Sequence, residues 1–265
     1  MSPSEAGQGK PEEARPGAIG PERGPTLVLG ALAGELEATI GLLESRRAIS
    51  WHSWHGRRFL EGELRREDEL EGGSEPIVVA EIGVGKTLSA LVSQHLVDRY
   101  RPRRMILVGA AGALAPDLSV GDVPVAEDCL RWDIDARAVG LERGRIPHTD
   151  YRVFLCDTAL VDAASAFPPE AGTLRRGRLV TGDTVITGRD ADAYRFLRDE
   201  LGGDAVDMEG ASVGLVAAVN GIPFVCVRTI SDRVFDDRPV DFRSATAQAA
   251  RNARGLTEHL LFARS

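Results

Sequence analysis

Three carboxylates stand where an acidic side chain is costly unless it is used. Glu35 follows the apolar run Thr26 to Gly30, Glu209 lies inside Val206-Asp207-Met208-Glu209-Gly210, and Asp232 follows the apolar run Pro223 to Thr229. Carboxyl groups held together in one pocket can give and take protons on a bound molecule. Each also has an ordinary structural reading. Glu35 can complement a helix dipole from the first turn, Glu209 can sit at a helix N-terminus, and Asp232 can serve a turn or cap.

The elements around them decide whether they can meet. Thr26 to Gly30 reads as a strand, and apolar residues at 32, 36, 40 and 43 mark one face of a helix over Leu32 to Leu43. Ile49 to His55 and Arg58 to Leu64 read as a hairpin turning at His55-Gly56, and the charged stretch Arg65 to Gly73 as a surface loop. Pro76 to Ala80 is a core strand, Lys86 to Tyr100 a helix, Met105 to Gly109 a buried strand and Val120 to Val125 the start of another. Asp133 to Asp150 is polar and loop-like. Arg178 to Thr181, Asp190 to Leu201, Glu209 to Val219 and Pro223 to Thr229 continue as strand, helix, helix and strand, and Phe242 to Leu261 closes as an amphipathic helix. This alternation predicts an α/β fold with a mixed, mostly parallel central sheet flanked by helices on both faces. In such sheets ligands bind beyond the carboxyl ends of the strands, where Glu35 and Asp232 fall.

Composition narrows the partner. With 265 residues, 43% of them hydrophobic, the chain can bury a full core in one domain, and a net charge of −8 argues against a nucleic-acid surface. Residues 1–25 are rich in Pro, Gly and Glu and read as a disordered tail, leaving 26–265 as the catalytic domain. Three scattered cysteines show no disulfide or zinc spacing, and no apolar run approaches the roughly 20 residues that cross a bilayer. The expectation is a cytoplasmic, soluble protein that engages a small molecule, with no membrane or nucleic-acid partner and no cofactor or metal.

Other motifs point elsewhere less well. Ala80 to Thr87 ends in Gly-Lys-Thr, like a phosphate-binding loop, but has Ala80 where that motif needs its first glycine. Gly83 and Gly85 then serve as a tight strand-to-helix turn. His52 and His55 point to opposite faces of a strand and would not share an ion. Gly109 to Gly112 has the wrong glycine spacing for a dinucleotide fingerprint and reads as a tight loop that lets a ligand approach the backbone. Cys226, inside an apolar strand, reads as a small core residue.

Taken together and in order, several segments resemble the nucleoside phosphorylase/nucleosidase superfamily. They are Gly30-Ala31 with Glu35, Gly83-Val84-Gly85-Lys86, Gly109 to Pro116 with Val120-Gly121-Asp122, Thr181-Gly182-Asp183, Val206 to Glu209, and Ile230-Ser231-Asp232. Within it the likeness is greatest to the methylthioadenosine/S-adenosylhomocysteine nucleosidases, to which Asp133-Ile134-Asp135 with Gly140, Glu142 and Gly144 also corresponds. The resemblance spans roughly residues 26 to 261.

The resemblance implies a hydrolase that cleaves the N-glycosidic bond of a purine nucleoside, with a place in methionine salvage. Asp232 would protonate or hydrogen-bond N7 of the leaving purine, its acid form favoured by a water-poor site. Glu35 would orient and deprotonate the attacking water, Glu209 would accept from the ribose hydroxyls, and Met208 would pack beneath the ribose. Substrate contacts would also come from Ala110, Gly112, Val185, Ile186, Ser231 and Phe242, the last lining the 5′ side of the sugar. Leu107-Val108 stands where phosphorolytic relatives carry an arginine, and Glu35 would repel a phosphate, which favours water as nucleophile. Phosphorolysis, a futalosine-type hydrolase and a non-catalytic nucleoside-binding protein are the rival readings. Val185 replaces the phenylalanine that stacks on adenine in the family, and Ala110 replaces a serine. The same relatives imply a homodimer.

Overall fold

The computed structural model describes residues 24–45, 49–64, 74–186, 188–236 and 242–262. Most of the proposed tail and the expected loop Arg65 to Gly73 therefore lie outside the described residues.

The all-apolar runs become central strands. β1 (Thr26–Gly30) lies between β4 (Glu75–Glu81) and β5 (Arg104–Ala113), all three parallel, and β10 (Phe224–Arg233) continues parallel on the far side of β5. Leu27, Val28, Leu29, Met105, Ile106 and Leu107 are wholly buried, as strands covered on both faces require. The hairpin of β2 (Ile49–Trp54) and β3 (Arg57–Leu64) extends one edge antiparallel to β4. Its turn falls at His55 and Gly56, both at positive φ, as a two-residue hairpin loop demands.

On the other side the sheet returns upon itself. β6 (Val123–Arg131) pairs antiparallel with β10 and parallel with β8 (Leu174–Thr181), β8 pairs parallel with β9 (Ala205–Asp207), and β9 pairs back antiparallel with β5. Strands β5, β10, β6, β8 and β9 thus close a ring, which a plain open sheet does not have. β7 (Val153–Leu155) pairs with β6 outside this path.

Helices cover the sheet: α1 (Ala33–Glu44), α2 (Lys86–Tyr100), α3 (Thr158–Ser165), α4 (Phe196–Asp199), α5 (Gly210–Asn220) and α6 (Phe242–Phe262). α1 packs on α6 and α2 on α5. Among these helices none is long and apolar enough to cross a membrane. The three cysteines are buried and free, and the neighbouring Cys156 and Cys226 thiols, with burial, push Cys129 well above the usual thiol range.

Three expectations need correction. The Gly109 to Gly112 stretch is no loop: β5 runs on to Ala113, because β10 pairs with it through Arg233 and satisfies its backbone. Asp232 accordingly lies within β10 and not beyond it. The single helix over Asp190 to Leu201 is divided into a 3₁₀ segment, Gly188–Tyr194, and the one-turn α4.

Candidate active site

The site is assembled on the carboxyl end of β5. Glu35, in the first turn of α1, is buried and splits its oxygens: Oε2 accepts from the Leu32 amide at 3.0 Å and Oε1 from the Ala110 amide at 2.8 Å. The ordinary reading of this acid is thus half right. One oxygen closes the helix N-terminus, and the other crosses to β5.

Gly109 makes that crossing possible. It sits at φ +146°, and a Cβ there would lie 2.3 Å from Arg228 Nη1 and 2.6 Å from Glu35 Oε1. Only a residue without a side chain leaves room for both charged groups against the strand.

Asp232 reaches the same strand from β10. The pairing slips at Ser231, so that Ile230 faces Ala111 while Asp232, and not its predecessor, faces Gly112. A bulge of this kind re-aims a side chain. Ser231 Oγ secures it, donating to Asp232 Oδ1 at 2.6 Å and lying 3.2 Å from the Ala111 carbonyl. The Asp232 Oδ2 atom lies against Gly112, beside Val206 and Val234. Residues 110 and 112 are two apart on one strand, about 7 Å by strand geometry, so Glu35 and Asp232 approach neighbouring points of β5.

Glu209 joins from a third direction, and the sequence around it explains why it is free to. At the N-terminus of α5 the Gly210 amide donates to Asp207 Oδ2 at 2.8 Å and the Ala211 amide to Thr181 Oγ1 at 2.9 Å, while Thr181 Oγ1 also donates to Asp207 Oδ1 at 2.6 Å. Glu209 is the N-cap residue and its carbonyl accepts from the Ser212 and Val213 amides, but with the first two amides taken by Asp207 and Thr181 its side chain makes no cap bond. Its Oε1 accepts from the Gly85 amide at 2.9 Å, and its Oε2 lies 3.3 Å from Arg228 Nη2.

Arg228 is the residue that the sequence reading missed. It is 1% exposed and donates to Val108 O at 2.9 Å through Nη1, to Asp207 through Nε at 3.1 Å and Nη2, and to Glu209 through Nη2. Burial weakens its hold on the proton, but the carboxylates of Asp207, Glu209 and Glu35 outweigh this and push it well above the usual guanidinium range. Burial pushes Glu209 up to about 7, with Asp207 and Glu35 adding to the rise and Arg228 and the Gly85 amide opposing it. The signal for Arg228 was a charged residue inside the otherwise apolar Pro223 to Thr229, where an unpaired cation would be prohibitive.

The remaining expected contacts divide. Ala110 and Gly112 are on the strand that Glu35 and Asp232 touch, and Met208 is half-buried between Asp207 and Glu209. Ile186 is buried in a cluster with Trp132, Val206 and Val234, whereas Val185 is 64% exposed. Phe242 opens α6, and its side chain lies outside the described residues. Trp132 supplies an aromatic ring to this cluster, edge-on to Tyr194 and packed against Gly182.

A family model described as the phosphorylase superfamily matches residues 25–261. The chain belongs to the phosphorylase superfamily. Within the superfamily it is 34% identical to a 5′-methylthioadenosine/S-adenosylhomocysteine nucleosidase of Treponema pallidum, over 68% of this chain and 75% of the relative. It is 30% identical to an enzyme of the same name from Shewanella sediminis, over 88% of this chain and 97% of the relative. Its fold matches the crystal structure of the Neisseria meningitidis nucleosidase in complex with methylthio-immucillin-A, with a TM-score of 0.76 and 26% identity, covering 89% of this chain and 97% of that one. The expected superfamily fold, with a mixed sheet between helices, is the one observed.

Proposed function

We propose that this phosphorylase-superfamily chain is a nucleosidase that hydrolyses the N-glycosidic bond of a purine nucleoside with a thio substituent at the 5′ position, of the methylthioadenosine and S-adenosylhomocysteine class. The observation that carries this is the approach of Glu35 and Asp232 to the same end of β5, Glu35 bonded to the Ala110 amide and Asp232 lying against Gly112. A ribose seated on that stretch has one carboxylate for its nucleophile and another for its leaving group.

The departing purine is a poor anion, so a proton or hydrogen bond must reach it as the bond breaks. Asp232, held by Ser231, supplies it. Glu35, fixed by two backbone amides, orients a water at the anomeric carbon and accepts its proton. Glu209 accepts from the ribose hydroxyls, and the negative charge of this group stabilises the oxocarbenium-like sugar. Met208 packs beneath the ribose and Ile186 and Val185 border the base, while the family resemblance alone assigns Phe242 to the 5′ side of the sugar.

Water is favoured over phosphate because the cation beside Gly109 is already committed. Arg228 is held by Asp207, Glu209 and the Val108 carbonyl, and a phosphate there would face Glu35 as well. The relatives by name act on methylthioadenosine and S-adenosylhomocysteine, which supports an adenine base and a 5′ thioether here. Action in the cytoplasm, a place in methionine salvage and assembly as a homodimer complete the reading.

Purine release in phosphate-free buffer tests it. Release from 5′-methylthioadenosine without phosphate, yielding free 5-methylthioribose, is expected. Release only on adding phosphate, with a ribose 1-phosphate product, makes the chain a phosphorylase. Tight binding without release makes it a binding protein.

A further inference from the structure

The segment that resembles a phosphate-binding loop is an anion nest filled by the protein itself. Gly85, at φ +91°, and Lys86 present successive amides at the N-terminus of the 15-residue α2. The Gly85 amide donates to Glu209 Oε1 at 2.9 Å and the Lys86 amide to Asp183 Oδ1 at 2.7 Å. Carboxylates thus take the place that phosphate oxygens take in a nucleotide-binding loop.

The Lys86 side chain fastens the nest from outside. Its ammonium pairs with Asp133 and stands 3.6 Å from Asp183 Oδ2, while the Asp183 amide donates to Asp133 Oδ2 at 3.0 Å. Three segments that follow different strands, at Gly85-Lys86, Asp133 and Asp183, are therefore tied at one point. The Lys86 side chain is 18% exposed and its ammonium faces two carboxylates, so this is not a freely solvated surface pair. Removing it leaves Asp133 and Asp183 in mutual repulsion at the place where the Gly85 turn is anchored.

We propose that Lys86 is a positioning residue, which acts through the Gly85 turn to hold Glu209 in place for recognition of the ribose hydroxyls. The assignment rests on the nucleosidase reading for the role of Glu209, and on the geometry alone for the tie between Lys86 and Glu209. A Gly85 amide that drifts away costs Glu209 a hydrogen bond that favours its ionised form. The groups facing Glu209 are Arg228, Asp207 and Glu35, and those facing the Lys86 ammonium are Asp133 and Asp183, with the Arg131 guanidinium near both aspartates.

The test uses the full chain as wild type, Lys86→Met and Lys86→Arg. Carbon NMR of carboxyl-labelled glutamate, with the Glu209 signal assigned by Glu209→Gln, reads its titration midpoint, and steady-state kinetics reads kcat and KM separately for 5′-methylthioadenosine. Lys86→Met is expected to raise the Glu209 midpoint and to raise KM about tenfold with kcat changed less than about threefold, as lost ground-state binding does. Lys86→Arg should restore both. An unchanged midpoint in Lys86→Met overturns the inference, and does so even if the wild type releases no purine, an outcome that would remove the nucleosidase reading instead. Should Lys86→Met not fold, Asp183→Ala cuts the same tie from the other side and is read in the same way.

Discussion

Glu209 stands 3.3 Å from the buried guanidinium of Arg228 but shares it with Asp207, which takes two of its nitrogens. Proximity to a cation is therefore not enough to keep Glu209 in the ordinary carboxylate range. Burial comes first, and the two neighbouring acids add to it, leaving the group at about 7.

That value predicts a pH dependence. If the ionised form binds ribose better, kcat/KM of the wild type rises as pH increases through about 7. Glu209→Gln should flatten that limb and raise KM, while its kcat also falls. A rate profile across neutral pH checks this.

Stability follows with the opposite slope. The folded-state value lies above the ordinary 4.5, so the stabilising contribution of the bound proton is complete below that and is lost as pH rises through about 7. Urea midpoints of wild type should therefore fall relative to those of Glu209→Gln between weakly acidic and weakly alkaline pH.

Arg228→Met removes one buried cation from two buried acids, Asp207 and Glu209. Breaking such a network from one side costs about 3–5 kcal/mol. Denaturant titration at pH 8 should show that loss, and the double variant Arg228→Met/Asp207→Asn should recover part of it.

Gly109→Ala puts a methyl group 2.3 Å from Arg228 Nη1 and 2.6 Å from Glu35 Oε1, at a φ that side chains avoid. A destabilisation of at least about 1–3 kcal/mol is expected from the backbone alone. Turnover should fall beyond what the loss of folded protein explains, since Glu35 is displaced along with Arg228. Thermal unfolding and turnover measured on the same sample separate the two.

The fold was legible where periodicity and turn chemistry agreed. The helix over Lys86 to Tyr100 and the hairpin turn at His55-Gly56 came directly from the residues, as did the buried runs of β1 and β4. What escaped was short or set by distant pairing. β7 and β9 have three residues each, and α3 lies in an alanine-rich stretch whose one clear marker is Asp157, which caps the helix through the Leu160 amide. Glycines at 109 and 112 suggested a loop, yet they lie inside a strand where carboxylates approach the backbone.

For the candidate site the sequence singled out Glu35, Glu209 and Asp232 as acids in or beside apolar runs, each with an ordinary structural reading of its own, and it was the family resemblance that joined them into one site. The sequence did not reveal that Glu209 owes its freedom to Asp207 and Thr181, since that depends on which side chain caps α5. Arg228 was hidden by the apolar residues around it, and Lys86 by a motif that suggested an outside anion.

Acid and base roles for the two outer carboxylates predict large and separate losses. Asp232→Asn and Glu35→Gln should each reduce kcat by at least about 100-fold, with both variants folding as the wild type does. Near-normal turnover in Asp232→Asn would remove it from the leaving-group role.

The most direct measurement is a crystal structure of the chain bound to a non-hydrolysable 5′-thio purine nucleoside analogue. With the sugar on β5, the Asp232 carboxylate should stand within hydrogen-bond reach of N7 of the base, and Glu35 should hold a water on the opposite face of the anomeric carbon. A ligand bound away from Ala110 and Gly112, or both carboxylates on one side of the sugar, would contradict the account.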